Sequence, residues 1–111
     1  MEFYLPRKLK FKAWNKDTKL LMRLDALPCV KGQLSLRNHI FLQFTGLLDK
    51  QQEEIYEMDV VLRNAEKYLV QWNVNYTGWC LTHYESNVVL EQLTPQNAVE
   101  LRRVCSYFES R

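Results

Sequence analysis

Turn-forming residues interrupt this chain about every ten positions, and the runs between them alternate between apolar and polar side chains. Short alternating segments with that spacing are strands, and a chain built this way closes into a small barrel or a strongly bent sheet. Leu9 to Asn15 sets Lys8, Lys10 and Lys12 on one face and Leu9, Phe11 and Ala13 on the other. Asn15-Lys16-Asp17-Thr18-Lys19 is a turn, and Leu20 to Leu24 returns as the second arm of an N-terminal hairpin. Asp25 to Ser35 carries Pro28 and Gly32 and reads as a loop with a short strand after it.

Ile40 to Thr45 is the next predicted strand, ended by Gly46 and a polar run, Asp49 to Glu53. Glu54 to Arg63 follows as one strand. Its core face is Tyr56, Met58, Val60 and Leu62, with Ile55, Glu57, Asp59 and Val61 opposite. Asn64 to Lys67 is a turn. Tyr68 to Asn75 puts Tyr68, Val70, Trp72 and Val74 on one side, with Trp72 expected to be buried. Tyr76-Thr77-Gly78 turns again, and Trp79 to Tyr84 and Val88 to Leu90 complete the strands. Thr94-Pro95 then starts a helix signal: Ala98, Leu101, Cys105 and Phe108 recur at spacings of three and four. Pro95 to Ser110 is expected to be an amphipathic helix whose stripe covers an open end of the sheet.

A chain of 111 residues supports one domain over 1–111. Its parts are a hairpin and loop lobe (1–39), a β-barrel part (40–93) and a C-terminal helix (94–111). Cys29, Cys80 and Cys105 are odd in number, with no C-x-x-C pair, and read as reduced thiols rather than a disulfide framework or zinc site. The start M-E-F-Y-L-P-R-K lacks the pattern of a signal peptide, and no apolar run approaches the ~20 residues of a membrane span. A cytoplasmic protein without membrane association is the expectation. The net charge of +2 neither demands nor excludes nucleic acid.

Two segments resemble a known family, the YopX-like proteins of phages and prophages. Lys10 to Met22, K-F-K-A-W-N-K-D-T-K-L-L-M, is similar to the family's opening K-F-R-A-W-D with its charged turn and second strand. Gln43 to Val61, Q-F-T-G-L-L-D-K-Q-Q-E-E-I-Y-E-M-D-V-V, is similar to Q-Y-T-G-L-x-D-x-x-G-x-x-I-Y-E-G-D-I-V. Together they span about a third of the chain, in the family's order. Gln52 and Met58 stand where the family has glycines, so Gln52 must either avoid a left-handed turn or bear its strain. The family's C-terminal G-N-I-Y-E-N strand motif is missing, which leaves the helix reading of the last segment. The resemblance implies a small, mainly β protein of a phage or mobile element, with an SH3-like barrel in its C-terminal part.

The residues offer several sites. Glu57 and Asp59 point the same way along a strand, about 7 Å apart. With Glu53 and Glu54 they could hold a divalent cation or do acid–base work, or they simply cap turn amides and pair with lysine or arginine. Cys80 and His83 fall on opposite faces of a strand, which defeats a nucleophile–base hydrogen bond, and His39 stands alone. Lys8, Lys10 and Lys12, with Trp14 at the strand's end, form a basic face. It reads either as a phosphate track or as a solvated, charge-protected edge. Tyr76 and Trp79, near Trp72 and Tyr84, could stack a peptide or base at the turn, or belong to the core.

No catalytic set emerges, and no cofactor or metal is expected. The leading expectation is a non-enzymatic binding module acting on a host or phage protein in the bacterial cytoplasm, with a role in modulating host defence. Nucleic-acid binding through the basic strand is the alternative, and a metal-dependent enzyme at Glu57 and Asp59 the third. An exposed edge strand also offers pairing with a second copy across a two-fold axis.

Overall fold

The computed structural model describes residues 6–110, without the side chain of Ser110. The segment M-E-F-Y-L-P-R-K, read above for a signal peptide, therefore lies largely outside the described residues. The protein is mainly β, as the alternation predicts, with a curled half-barrel sheet and a small helix near the C-terminus. One sheet contains β1 (Phe11–Asn15), β2 (Leu20–Arg23), β5 (His39–Leu48) and β6 (Glu54–Tyr56), in the order β2-β1-β5-β6. The second contains β7 (Asp59–Arg63), β8 (Glu66–Asn73), β9 (Gly78–His83), β10 (Val89–Gln92) and β11 (Arg102–Ser106), in the order β10-β9-β8-β7-β11. A two-residue pair, β3 (Cys29–Val30) and β4 (Gln33–Leu34), ornaments the predicted loop. Every pairing is antiparallel. Among the described residues no helix is long and apolar enough to cross a membrane.

The turns work as their residues suggest. Asn15 Oδ1 accepts from the backbone N–H groups of Asp17 and Thr18 at 2.9 and 3.1 Å, closing the β1–β2 hairpin. Asn73 repeats the device at the β8–β9 turn, accepting from Asn75 and Tyr76. Asn64 and Ala65 both take positive φ, 53° and 69°, the geometry of a two-residue hairpin loop between β7 and β8. Gly46 does not end its strand. At φ +88° it sits in a register shift between Phe44 and Leu48, so β5 bends and continues.

The predicted strand Glu54–Arg63 is two strands with a corner at Glu57-Met58. Met58 turns left-handed at φ 65°, donates its N–H to Val70 O at 2.7 Å and accepts from Tyr107 N at 2.7 Å. The corner moves the chain from one sheet to the other. It also changes the expected faces: Tyr56 and Val60 are buried as expected, but Asp59 turns inward and is buried with Ile55 and Val61, whereas Met58 is only half-buried.

Gln52 is left-handed as well, at φ 67°. Both positions where the resemblance leads one to expect glycine therefore keep a glycine-like backbone under an L side chain. The left-handed strain of about 1–2 kcal/mol exceeds the extra chain entropy of glycine, about 0.5–1 kcal/mol. Gln52→Gly should therefore raise stability by about 0.5–1 kcal/mol in urea denaturation. Met58→Gly should gain less, because the half-buried thioether is lost. A Gln52→Gly protein less stable than wild type would contradict this reading.

The last segment corrects the long-helix expectation. Only Pro95–Ala98 is α-helical (α1), capped by Thr94 and Asn97 in a reciprocal box. Arg102–Ser106 pairs with β7, and Tyr107–Ser110 is a 3-10 turn. Residues 102–106 also alternate in burial, and β7 had a free edge whose N–H and C=O groups needed partners. That pairing outweighs local helix preference. Part of the predicted stripe still does its work: Ala98 and Leu101 are buried with Ile55, Val61, Tyr68, Val70, Leu81 and Leu93 in the main core. Phe108 stacks on Trp14 instead, with ring centroids 5.6 Å apart.

Candidate functional site: a basic cleft beside the sheet corner

Lys12 is the least ordinary residue of the molecule. On β1, Lys12, Ala13 and Trp14 are buried, and Lys12 keeps only 9% of its surface exposed. The corner at Glu57-Met58 brings Tyr56 beneath it, and the Lys12 ammonium stands 4.3 Å from the centre of the Tyr56 ring. Among the described residues its ammonium makes no hydrogen bond or ion pair. Burial, then the Arg103 guanidinium, lowers its pKa, and Arg23 adds to this; Asp59 and Glu109 pull the other way.

Arg103 reaches the cluster from β11. Its Nε donates to Asp59 Oδ2 at 2.9 Å, and the same oxygen accepts from Tyr56 N at 2.8 Å. Burial pushes the Asp59 carboxyl up, against the pull of those two donors. Arg23, exposed at the end of β2, is the cross-strand neighbour of Lys12. Lys10 pairs with Glu54 at 2.5 Å, and the Tyr56 hydroxyl donates to the other oxygen of Glu54 at 3.2 Å. These residues surround a cleft of about 380 Å³ lined by Lys10, Lys12, Arg23, Tyr56 and Arg103, with Glu53 and Glu54 on its rim.

A second hollow of about 580 Å³ adjoins it and shares Gln52 and Glu54. Arg7, Lys8, Phe44 and Trp79 line it. The two hollows carry six cations against the two carboxylates Glu53 and Glu54. The turn between β5 and β6 forms their common wall, and its shape depends on Asp49. That carboxylate is fully buried. Oδ1 accepts from Gln51 N and Glu53 N at 2.8 and 2.9 Å, and Oδ2 from Arg103 N at 2.7 Å.

The basic face predicted from Lys8, Lys10 and Lys12 is thus not a row of equivalent cations. Lys8 is exposed in the outer hollow, Lys10 is paired, and Lys12 is withdrawn to the inner cleft. Trp14 is buried against Phe108 and lines a different groove. Tyr76 is 56% exposed at the β8–β9 turn, and Trp79 is half-buried between the core and the outer hollow. Trp72, expected to be buried, is 48% exposed. It lies opposite Trp79 near the end of β8, beyond the reach of the core, and meets that ring edge-on at 5.1 Å.

Glu57 and Asp59 do not act as a pair. Asp59 is taken by Arg103 and Tyr56 N, whereas Glu57 is half-buried and accepts only a long 3.4 Å bond from Gln43 N. Among the described residues no group of three or more histidine, cysteine or acidic side chains is placed to hold a metal ion. Cys80 is buried, which pushes its thiol pKa up, and its sulfur contacts Gly78 O at 3.9 Å. His83 instead meets Glu66 at 2.9 Å.

Burial raises the Glu57 pKa, and the weak bond from Gln43 only partly opposes it. A carboxyl whose folded pKa exceeds its unfolded one binds more protons in the folded state across that interval. Its contribution to stability is therefore greatest at low pH and falls as pH rises from the ordinary glutamate range to the raised value. Glu57→Gln should be more stable than wild type at pH 7, and the advantage should shrink on acidification through that interval. Parallel denaturation curves at pH 4 and pH 7 check this; a constant difference would contradict it.

Arg103 and Asp49 were not legible as site residues. A period-two reading of residues 102–106 would have put Arg103 on an inward face, but the helical spacing of Ala98, Leu101 and Cys105 masked it. Asp49 looked like an ordinary turn residue. A family model described as YopX protein matches residues 15–104. No curated protein matches the chain.

Proposed function

The chain belongs to the YopX family, and from that premise we propose that it is a small phage or mobile-element accessory protein acting as a non-enzymatic binding module. Its partner is a host protein of the bacterial cytoplasm that offers an anionic surface to the basic trough. Modulation of host defence is one outcome of such binding. The observation that carries the reading is the excess of six cations over two carboxylates along the two hollows, with one ammonium buried without a direct hydrogen bond or ion pair among the described residues. Clefts lined with one sign of charge focus the field and speed capture of the opposite sign. Capture of a host protein by immobilised wild type, lost on Arg7→Glu/Lys8→Glu, supports the reading. Equal capture by that variant, or no specific capture at low salt, ends it.

Nucleic acid is the second reading, favoured by one observation: Trp79 and Phe44 stand in the same hollow as Arg7 and Lys8. Aromatic faces beside cations suit single strands. It predicts oligonucleotide affinity that falls steeply with salt. A flat salt response would exclude it.

A further inference from the structure

We propose that the inner cleft, where Lys12, Arg23 and Arg103 converge beside the Tyr56 ring, is a binding site for a phosphoryl group. The inference rests on the reading that the trough is this protein's binding surface and names the group that its deepest point holds.

Three strands deliver the three cations: β1 gives Lys12, β2 gives Arg23 and β11 gives Arg103. Two of them act on Lys12 as like charges, and like charges gathered around a nine-tenths buried ammonium oppose folding unless something offsets them. The nearby carboxylates are largely committed elsewhere. Glu54 is held by Lys10 and the Tyr56 hydroxyl, and Asp59 by Arg103 and Tyr56 N. Glu109 stands 3.9 Å from Arg103 Nη2 and accepts from Ser106 N, and Glu53 remains at the exposed rim. The Lys12 ammonium faces an open hollow of about 380 Å³, enough for a phosphoryl group and the atom that carries it.

The donor geometry selects phosphoryl over carboxylate. A carboxylate is best held by two parallel N–H groups of one guanidinium, side by side. Arg103 gives Nε to Asp59 and sets Nη2 3.9 Å from Glu109, so both of its forks are already engaged and it offers its remaining donor singly. Single donors converging from separate strands suit a tetrahedral anion with several acceptor oxygens, and lysine serves such an anion as a point charge.

The test is a side-chain NMR titration of the full chain with inorganic phosphate, acetate and chloride at matched ionic strength. Saturable shifts at Lys12, Tyr56 and Arg103 with phosphate are expected, with acetate at least tenfold weaker and chloride without saturation. Lys12→Met should lower phosphate affinity at least tenfold. Arg23→Gln, at an exposed position, should lower it severalfold and keeps the test decisive if the Lys12 variant misfolds. O-phosphoserine and a nucleoside monophosphate then distinguish the source of the group: tighter binding of one than of inorganic phosphate identifies it. Phosphate shifts no different from those of chloride, or unchanged affinity in a folded Lys12→Met or Arg23→Gln protein, overturn the proposal. Specific partner capture without phosphate binding would overturn this inference alone. Saturable phosphate binding without any partner capture would leave this site standing and overturn the protein-partner reading.

Discussion

Asp49→Ala should destabilise the protein by about 3–4 kcal/mol, because one fully buried carboxylate serves three backbone donors. Gln51 N and Glu53 N lie in an exposed turn and can recover water. Arg103 N lies in a part-buried strand and cannot do so as readily. The same turn is tied to the last core residue by Lys50 N donating to Leu101 O at 2.9 Å. Losing Asp49 therefore loosens the wall of the basic cleft and the docking of β11 together. Thermal unfolding should fall by roughly 15 °C or more. Asp49→Asn keeps one acceptor oxygen and should cost about half as much. An alanine variant melting within a few degrees of wild type would show that the turn holds its shape without this carboxylate.

Arg103→Met comes second, with an expected loss of about 3 kcal/mol at pH 7 from a buried Asp59 left without its cation. The Asp59 carboxyl already has its pKa raised by burial, and removing the guanidinium raises it further. Its folded pKa then lies well above its unfolded one, so lowering the pH protonates Asp59 in the folded state first and restores stability. The deficit should shrink as the solution is acidified from neutral pH towards the ordinary aspartate range. Adding Asp59→Asn removes the charge but keeps an acceptor for Tyr56 N. The double variant should therefore be more stable than Arg103→Met by at least 1 kcal/mol, the coupling being read from the full cycle. A deficit independent of pH, or a double variant no better than the single one, would mean that Arg103 acts mainly through packing.

Asp49 and Arg103 also mark the limit of what alternation alone reveals. A polar residue followed by lysine and glutamines reads as solvent-facing turn material, because composition carries no sign of a later strand crossing behind it. Asp59 has the same history. Its alternation with Glu57 placed both outward, and only the left-handed corner at Met58 turned one of them into the core. Lys12 shared a face with Lys8 and Lys10 in sequence, but the Tyr56 ring, brought in by a distant strand, packs 4.3 Å from its ammonium and helps withdraw it from bulk water.

The sequence by itself determined most of the strands, most of their turns and the family. Alternation, asparagine side chains and paired turn residues are local devices, acting within a few positions. It also carried the two left-handed positions, Gln52 and Met58, as departures from a glycine pattern. The tertiary structure alone decided that residues 102–106 become a strand rather than helix, because a free edge on β7 needed backbone partners from a segment some 40 residues away. The same pairing carried Arg103 to Asp59 and to the neighbourhood of Lys12, so the basic cleft exists only through contacts that no local pattern encodes.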